Sequence, residues 1–157
     1  MFKFKWQYLY SVIFIANTVI LSSCGAQVES TRDQCQRFTQ VLQTVVDENQ
    51  KFKQINQFDR DSLLQFIKIA TKSAAAIENQ PVFNDKFLVN FQKHLISLYK
   101  TYNYAGSNIL KPSNTNTKGE TRYSSLNILK QSLAEEKEIL ISFNDYCNAH
   151  GFKINNI

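Results

Sequence analysis

Apolar residues return every three or four positions in four segments of this chain, and each set marks one face of an amphipathic helix. In the first segment these are Cys35, Phe38, Leu42, Val45, Phe52 and Ile55, with Ser30 or Thr31 placed to cap it. In the second, Leu63, Ile67, Ala70, Ala74 and Ile77 follow Asp59 and Asp61 and stop before Pro81. The third begins near Asn84 or Asp85 and carries Leu88, Phe91, Leu95, Leu98 and Tyr102. The fourth carries Leu126, Leu129, Leu133, Leu140, Phe143 and Cys147. The stripes predict helices over about 31–56, 60–79, 84–105 and 123–148. No segment alternates with a period of two between hairpin dipeptides, so no sheet is expected.

The connections around Asn56 to Asp59 and at Gln80-Pro81 are short, which sets successive helices antiparallel. Residues 106–122 are rich in Ser, Asn and Thr, with Pro112 and Gly119, and read as one long flexible loop. The predicted fold is all-α, an up-down-up-down four-helix bundle spanning 31–150.

What precedes the bundle is different in kind. Lys3 and Lys5 form a basic start, and Leu9 to Leu21 is apolar apart from Ser11, Asn17 and Thr18. That run is short of the roughly 20 apolar residues a bilayer span needs, and it reads as a signal-peptide core. Leu21, Ser22, Ser23 and Cys24 then form a lipobox: small residues let a peptidase close on the chain before the cysteine that receives the lipid. The expected organisation is a lipoprotein signal peptide over 1–23, a lipidated Cys24 and a polar tether over 24–30. A diacylglyceryl group with an added acyl chain exceeds the two-chain level that lasting attachment requires. The expected location is a bacterial membrane, with the domain facing the periplasm, the cell exterior or a thylakoid lumen.

Processing would also change the charge. The whole chain carries +5, but residues 1–23 hold two basic and no acidic residues, leaving 16 basic against 13 acidic, or +3. So small an excess outside the cytoplasm gives no reason to expect a nucleic-acid partner. Of the three cysteines, Cys24 is assigned to lipid, so Cys35 and Cys147 remain as a pair. An even remainder in an exported chain suggests a disulfide. An up-down-up-down bundle brings the start of its first helix beside the end of its fourth, where these two residues lie. The competing reading makes them small core residues of separate helices.

Two polar residues interrupt the stripes. Asn49 lies about 21 Å along the first helix from Cys35, and Glu136 about 16 Å along the fourth from Cys147. Either they face each other in the bundle, with Asn49 donating to the Glu136 carboxylate and fixing helix register, or Glu136 turns to the rim while Lys137 or Ile139 takes the seam. Near the end of the third helix, Tyr99, Lys100, Tyr102 and Tyr104 interleave aromatic and basic side chains. Tyr99, Tyr102 and Tyr104 are therefore interface candidates, against the alternative that Tyr102 is core and Tyr99 merely snorkels to water.

No catalytic constellation emerges. Neither His94 nor His150 has a Glu three positions before it, so the paired motif of a di-iron bundle is missing. Cys147 to His150 lacks the first cysteine of a haem-attachment site. Two ligands alone would not close a metal site. No catalytic residue, metal or cofactor is expected.

The lipobox, the second cysteine in Asp33-Gln34-Cys35, the helical middle and the closing Phe143-Asn144-Asp145-Tyr146-Cys147 together resemble small uncharacterised lipoproteins of cyanobacteria. The resemblance covers the whole chain after the signal peptide and implies no activity or site residues. A weaker likeness is to the four-helix lumenal lipoproteins that attend photosystem II. The expected function is that of a non-enzymatic, membrane-anchored bundle that binds or stabilises a protein partner. The alternative is a bundle that holds a small apolar ligand or pigment where Ala70, Ala74, Ala75 and Ala76 leave room.

Overall fold

The computed structural model describes residues 28–53, 59–111 and 118–157, with side chains described outside 51–53 and 118–121. Four helices account for most of them: α1 (Thr31–Lys53), α2 (Arg60–Glu78), α3 (Lys86–Leu110) and α4 (Lys118–Asn148). The described residues contain no strand, and the fold is the expected all-α four-helix bundle. The segment expected to be a signal peptide and lipobox, with Cys24, lies outside the described residues, as do Ile55 and residues 112–117 of the expected loop.

Helices α1, α2 and α3 each start where a side chain can take up an orphan N–H group. Ser30 Oγ accepts from Asp33 N at 3.2 Å and donates to the Asp33 carboxylate at 2.6 Å, so Ser30 is the cap of α1. Asp59 accepts from Ser62 N at 2.8 Å to open α2. Asp85 accepts from Phe87 N and Leu88 N to open α3. Helix α4 stops in a Schellman turn, in which Phe152 N bonds the Cys147 carbonyl and Gly151 N the Asn148 carbonyl. Gly151 sits at φ +86°, where a Cβ would be strained.

The helix boundaries differ from the sequence expectation mainly at the long loop. Helix α3 runs on through Gly106 to Leu110, and α4 is already helical at Lys118. Gly106 reads in sequence as a loop opener, yet a Cβ there would come within 2.7 Å of Ile67 Cγ1 on α2. The glycine lets two helices approach closely, and helix geometry continues through it. The fourth-helix stripe also shifts. Leu126 and Leu133 are 44% and 42% exposed, while Ser125 and Ser132 are buried with Leu129, Glu136, Leu140, Phe143 and Cys147. Ser125, Glu136 and Cys147 are spaced by 11 residues, close to three full turns, so fixing Cys147 against α1 draws the other two inward. Leu126 and Leu133 are thereby turned toward solvent.

Cys35 and Cys147 form a disulfide with their Cα atoms 5.6 Å apart. Around it packs an aromatic core: the Phe38 ring meets Phe83 at 4.8 Å and Phe143 edge-on at 5.4 Å, and Phe91 meets Phe143 at 5.8 Å. Gln34, 1% exposed, joins three segments here, because its amide donates to the Glu29 carbonyl and accepts from Asn84 N and Asp85 N. The start of α1, the α2–α3 turn and the end of α4 therefore share one end of the bundle, as alternating helix directions require.

Beyond α4 the chain turns back over the seam between α1 and α4, a feature absent from the sequence reading, which closed the bundle at 150. Ile154 is 2% exposed. Asn144 clamps its backbone by accepting from Ile154 N at 2.7 Å and donating to its carbonyl at 2.9 Å. Gln43 accepts from Asn155 N at 2.8 Å, and Gln50 donates to the Asn156 carbonyl.

Candidate functional site

The most unusual chemistry in the described bundle is a carboxylate in its interior. Glu136 of α4 is 6% exposed. Its Oε1 accepts from the Tyr99 hydroxyl at 2.6 Å and from Asn49 Nδ2 at 3.2 Å. Its Oε2 lies 2.9 Å from the Tyr102 hydroxyl, which is also 3.0 Å from the Ser132 carbonyl. That hydroxyl has one proton and two acceptors in reach. Asn49 Nδ2 is in addition 3.3 Å from the Tyr99 oxygen, so α1, α3 and α4 meet at one hydrogen-bonded node.

The two tyrosines are one helical turn apart on α3 and pack edge-on at 5.6 Å. Burial, then the charge and hydrogen bond of Glu136, push the Tyr99 hydroxyl well above its ordinary range, and the same causes push Tyr102 up. Both phenols are fixed donors at physiological pH. No basic side chain among the described residues forms an ion pair with Glu136, whose three donors are all neutral. A carboxylate offers about four lone-pair sites, and these donors fill at most three.

The node forms one wall of a cleft of about 350 Å³ between α1 and α4. Val46, Leu133, Leu140 and Ile157 supply apolar walls, and Asn49, Gln50, Glu136 and Lys137 supply polar ones. The returning chain at Asn156 and Ile157 borders it. The space anticipated beside the small residues of α2 lies elsewhere: Ala70 and Ala74 are packed in the core, and Ala75 and Ala76 face outward.

The polar seam thus takes the facing arrangement, with Glu136 buried, and not the rim arrangement; Lys137 is exposed instead and Ile139 half-buried. The tyrosines divide. Tyr99 and Tyr102, each 1% exposed, are held inside and present no surface to a partner, which overturns their reading as interface residues and that of Tyr99 as snorkelling. Tyr104 is 62% exposed and stays an interface candidate. Spacing alone could not separate them, because the inward turn of Tyr99 depends on an acceptor from another helix. The Cys147 sulfur is spent in the disulfide, and His150 sits 5.8 Å from the Tyr146 ring, so these two do not act as a ligand pair. Among the described residues no group of three or more His, Cys, Asp or Glu side chains is placed to hold a metal ion.

One more surface stands out. Tyr123, Leu126, Leu133 and Ile141 leave large apolar side chains exposed along α4. Lys130 and Lys137 are exposed among them.

No helix among the described residues is long and apolar enough to cross a membrane. No protein-family model matches the chain, and no significant match joins it to a characterised protein or to a solved structure.

Proposed function

We propose that this protein is a membrane-anchored, non-enzymatic helical bundle that binds or stabilises a protein partner in the envelope or thylakoid lumen. The observation that carries the reading is the exposed apolar row of Tyr123, Leu126, Leu133 and Ile141, interleaved with Lys130 and Lys137 on α4. An apolar stripe with basic flanks suits a partner with an apolar surface and acidic neighbours. The lipobox supplies the membrane address, and the disulfide suits an oxidising compartment. The test is copurification of the tagged full chain from its native membranes in mild detergent, beside Cys24→Ala and Leu126→Asp with Leu133→Asp. A stoichiometric partner lost in the double aspartate variant supports the reading, and recovery of the bundle alone refutes it.

A second reading has its own observation, the cleft beside Glu136. Apolar walls with a buried carboxylate at Glu136, and with Asn49, Gln50 and Lys137 alongside, suit a small, largely apolar molecule that carries a hydrogen-bond donor. Mass spectrometry of organic extracts from the purified native protein tests this; an extract free of small molecules counts against it.

A further inference from the structure

The disulfide end of the bundle is the end where Val28 joins the described residues, four positions after Cys24. On the sequence alone, about ten residues of tether separate the lipid from Cys35. The structure shortens this. Glu29 is already fixed, because its carboxylate pairs with Arg37 at 2.6 Å and its carbonyl accepts from the buried Gln34. Five residue steps from Cys24 to Glu29 span at most roughly 18 Å when fully extended. That length cannot carry a lipid from the far end of the bundle, because α4 alone measures about 46 Å.

The same end exposes apolar side chains that the fold leaves uncovered. Val28 is 75% exposed, Val82 84% and Phe87 60%. All three sit at this end: Val28 and Val82 adjoin Glu29 and Pro81, which Arg37 links through the Glu29 carboxylate and the Pro81 carbonyl, and Phe87 stacks on Tyr146 at 4.9 Å. Arg32 at the start of α1, Lys86 at the start of α3 and Lys153 just past α4 are exposed at the same end. Of the acidic groups at this end, Asp85 caps α3, Asp33 accepts from the Ser30 hydroxyl, Glu29 pairs with Arg37 and Glu78 with Lys100, and Asp145 lies a turn back along α4. Exposed apolar tips with basic side chains at the same end are a composition that sits at the boundary between headgroups and acyl chains.

We infer that this end, through Val28, Val82 and Phe87 with Arg32, Lys86 and Lys153, docks directly on the lipid surface that holds the anchor, so that the bundle stands upright with the Tyr123 end outermost. The inference rests on the anchored reading above and adds an orientation that a lipidated cysteine alone would not impose. It also leaves the α4 row free along the side of the upright bundle.

The single tryptophan of the chain is Trp6, within the expected signal peptide, so a processed chain would be free of tryptophan and one inserted residue reports alone. The experiment uses the full chain, expressed in a host that processes lipoproteins and reconstituted in vesicles of phosphatidylethanolamine and phosphatidylglycerol with brominated acyl chains. Val82→Trp and Phe87→Trp are compared with Tyr123→Trp, each checked for native helical content by circular dichroism. Residues seated at the interface lie about 5–10 Å into the boundary, so Val82→Trp and Phe87→Trp are expected to lose roughly half or more of their emission. Tyr123→Trp, about 36 Å along α4 from Cys147, is expected to lose almost none. Equal quenching at all three sites, or none at Val82 and Phe87, in a chain whose intact mass includes the lipid overturns the docking and spares the anchor. An intact mass without lipid, or Trp6 emission in the unsubstituted protein, overturns the anchor and the docking with it.

Discussion

Replacing Glu136 by glutamine should leave stability almost unchanged, whereas replacing it by alanine should not. In Glu136→Gln the amide oxygen still accepts from Tyr99 and Asn49. The new amide N–H can donate to the Tyr102 oxygen while the Tyr102 proton turns to the Ser132 carbonyl, already 3.0 Å away. Every polar group keeps a partner. Hydrogen bonds to a charge are worth about 1.5–3 kcal/mol and neutral ones about 0.5–1.5, so the exchange weakens the node. It also removes the burial cost of a carboxylate without a cationic partner, several kcal/mol. The net change is expected within about 1 kcal/mol. Glu136→Ala instead strands the Tyr99 proton, at about 1–3 kcal/mol, and loses packing, for a total of about 2–4 kcal/mol. Adding Tyr102→Phe to Glu136→Gln removes the acceptor for the new amide, so the double variant should fall below the sum of the single changes. Urea denaturation followed by circular dichroism, with the disulfide intact, measures all four proteins. The reasoning is refuted if glutamine costs as much as alanine, for then charge and not hydrogen-bond geometry holds the node. An additive cycle would likewise show that Ser132 is no alternative acceptor.

Reducing the disulfide, which closes a loop across a separation of 112 residues, should cost about 4–5 kcal/mol by chain entropy. Hydrogen exchange should then report loss of protection in α1 before α3, because α1 packs less extensively than the others. Gly106→Ala gains about 1 kcal/mol of helix propensity but drives a Cβ into Ile67, so a net loss of about 1–2 kcal/mol is expected. Adding Ile67→Ala should recover the gain from Gly106→Ala, and urea titration of the pair checks it. Burial raises the Asp85 carboxyl, but bonds from Tyr146, Leu88, Phe87 and Thr31 outweigh it and hold the group below its ordinary 3.8. Its stabilising contribution is present above pH 3.8 and is lost as pH falls through the lowered folded value. Tyr146 is pushed up to about 12 by burial and by Asp85, so its contribution is complete below pH 10.0 and fades as pH rises toward 12. Tyr146→Phe should flatten both limbs of a plot of Tm against pH; unchanged limbs would place the linkage elsewhere.

Much of the bundle was legible because helix periodicity, caps and turn residues act locally. Asp59, Asp85 and Ser30 open helices where short polar side chains were expected, and the helices that carry Cys35 and Cys147 meet where antiparallel order puts them. The errors arose where a distant residue decides. Gly106 is a loop signal by itself and a helix contact beside Ile67. Leu126 and Leu133 fit a four-residue stripe as well as the true core positions do, until Cys147 fixes the rotation of α4. Tyr99 and Tyr102 differ from Tyr104 only through a carboxylate on another helix. The return of Ile154 into the core depends on amides of Gln43 and Asn144, which no local pattern identifies.

These longer-range contacts have a common consequence for α1. Helix α3 packs along much of its length on both α2 and α4, but α1 joins α4 at separate points: the disulfide and the Phe38–Phe143 ring contact at one end, the Asn49–Glu136 contact farther along, and the chain around Ile154 laid over the seam between them. An interface fastened at separate points leaves space between its attachments, and the cleft beside Glu136 is that space. A continuous apolar seam would have closed it. The bond at Cys35 holds α1 against α4 at one end, so any widening of the cleft would have to come around Asn49. Opening there would cost the hydrogen bonds at Glu136, which a bound donor could replace. On the ligand-binding reading proposed above, the carboxylate that anchors this node is also the group an entering molecule would have to engage.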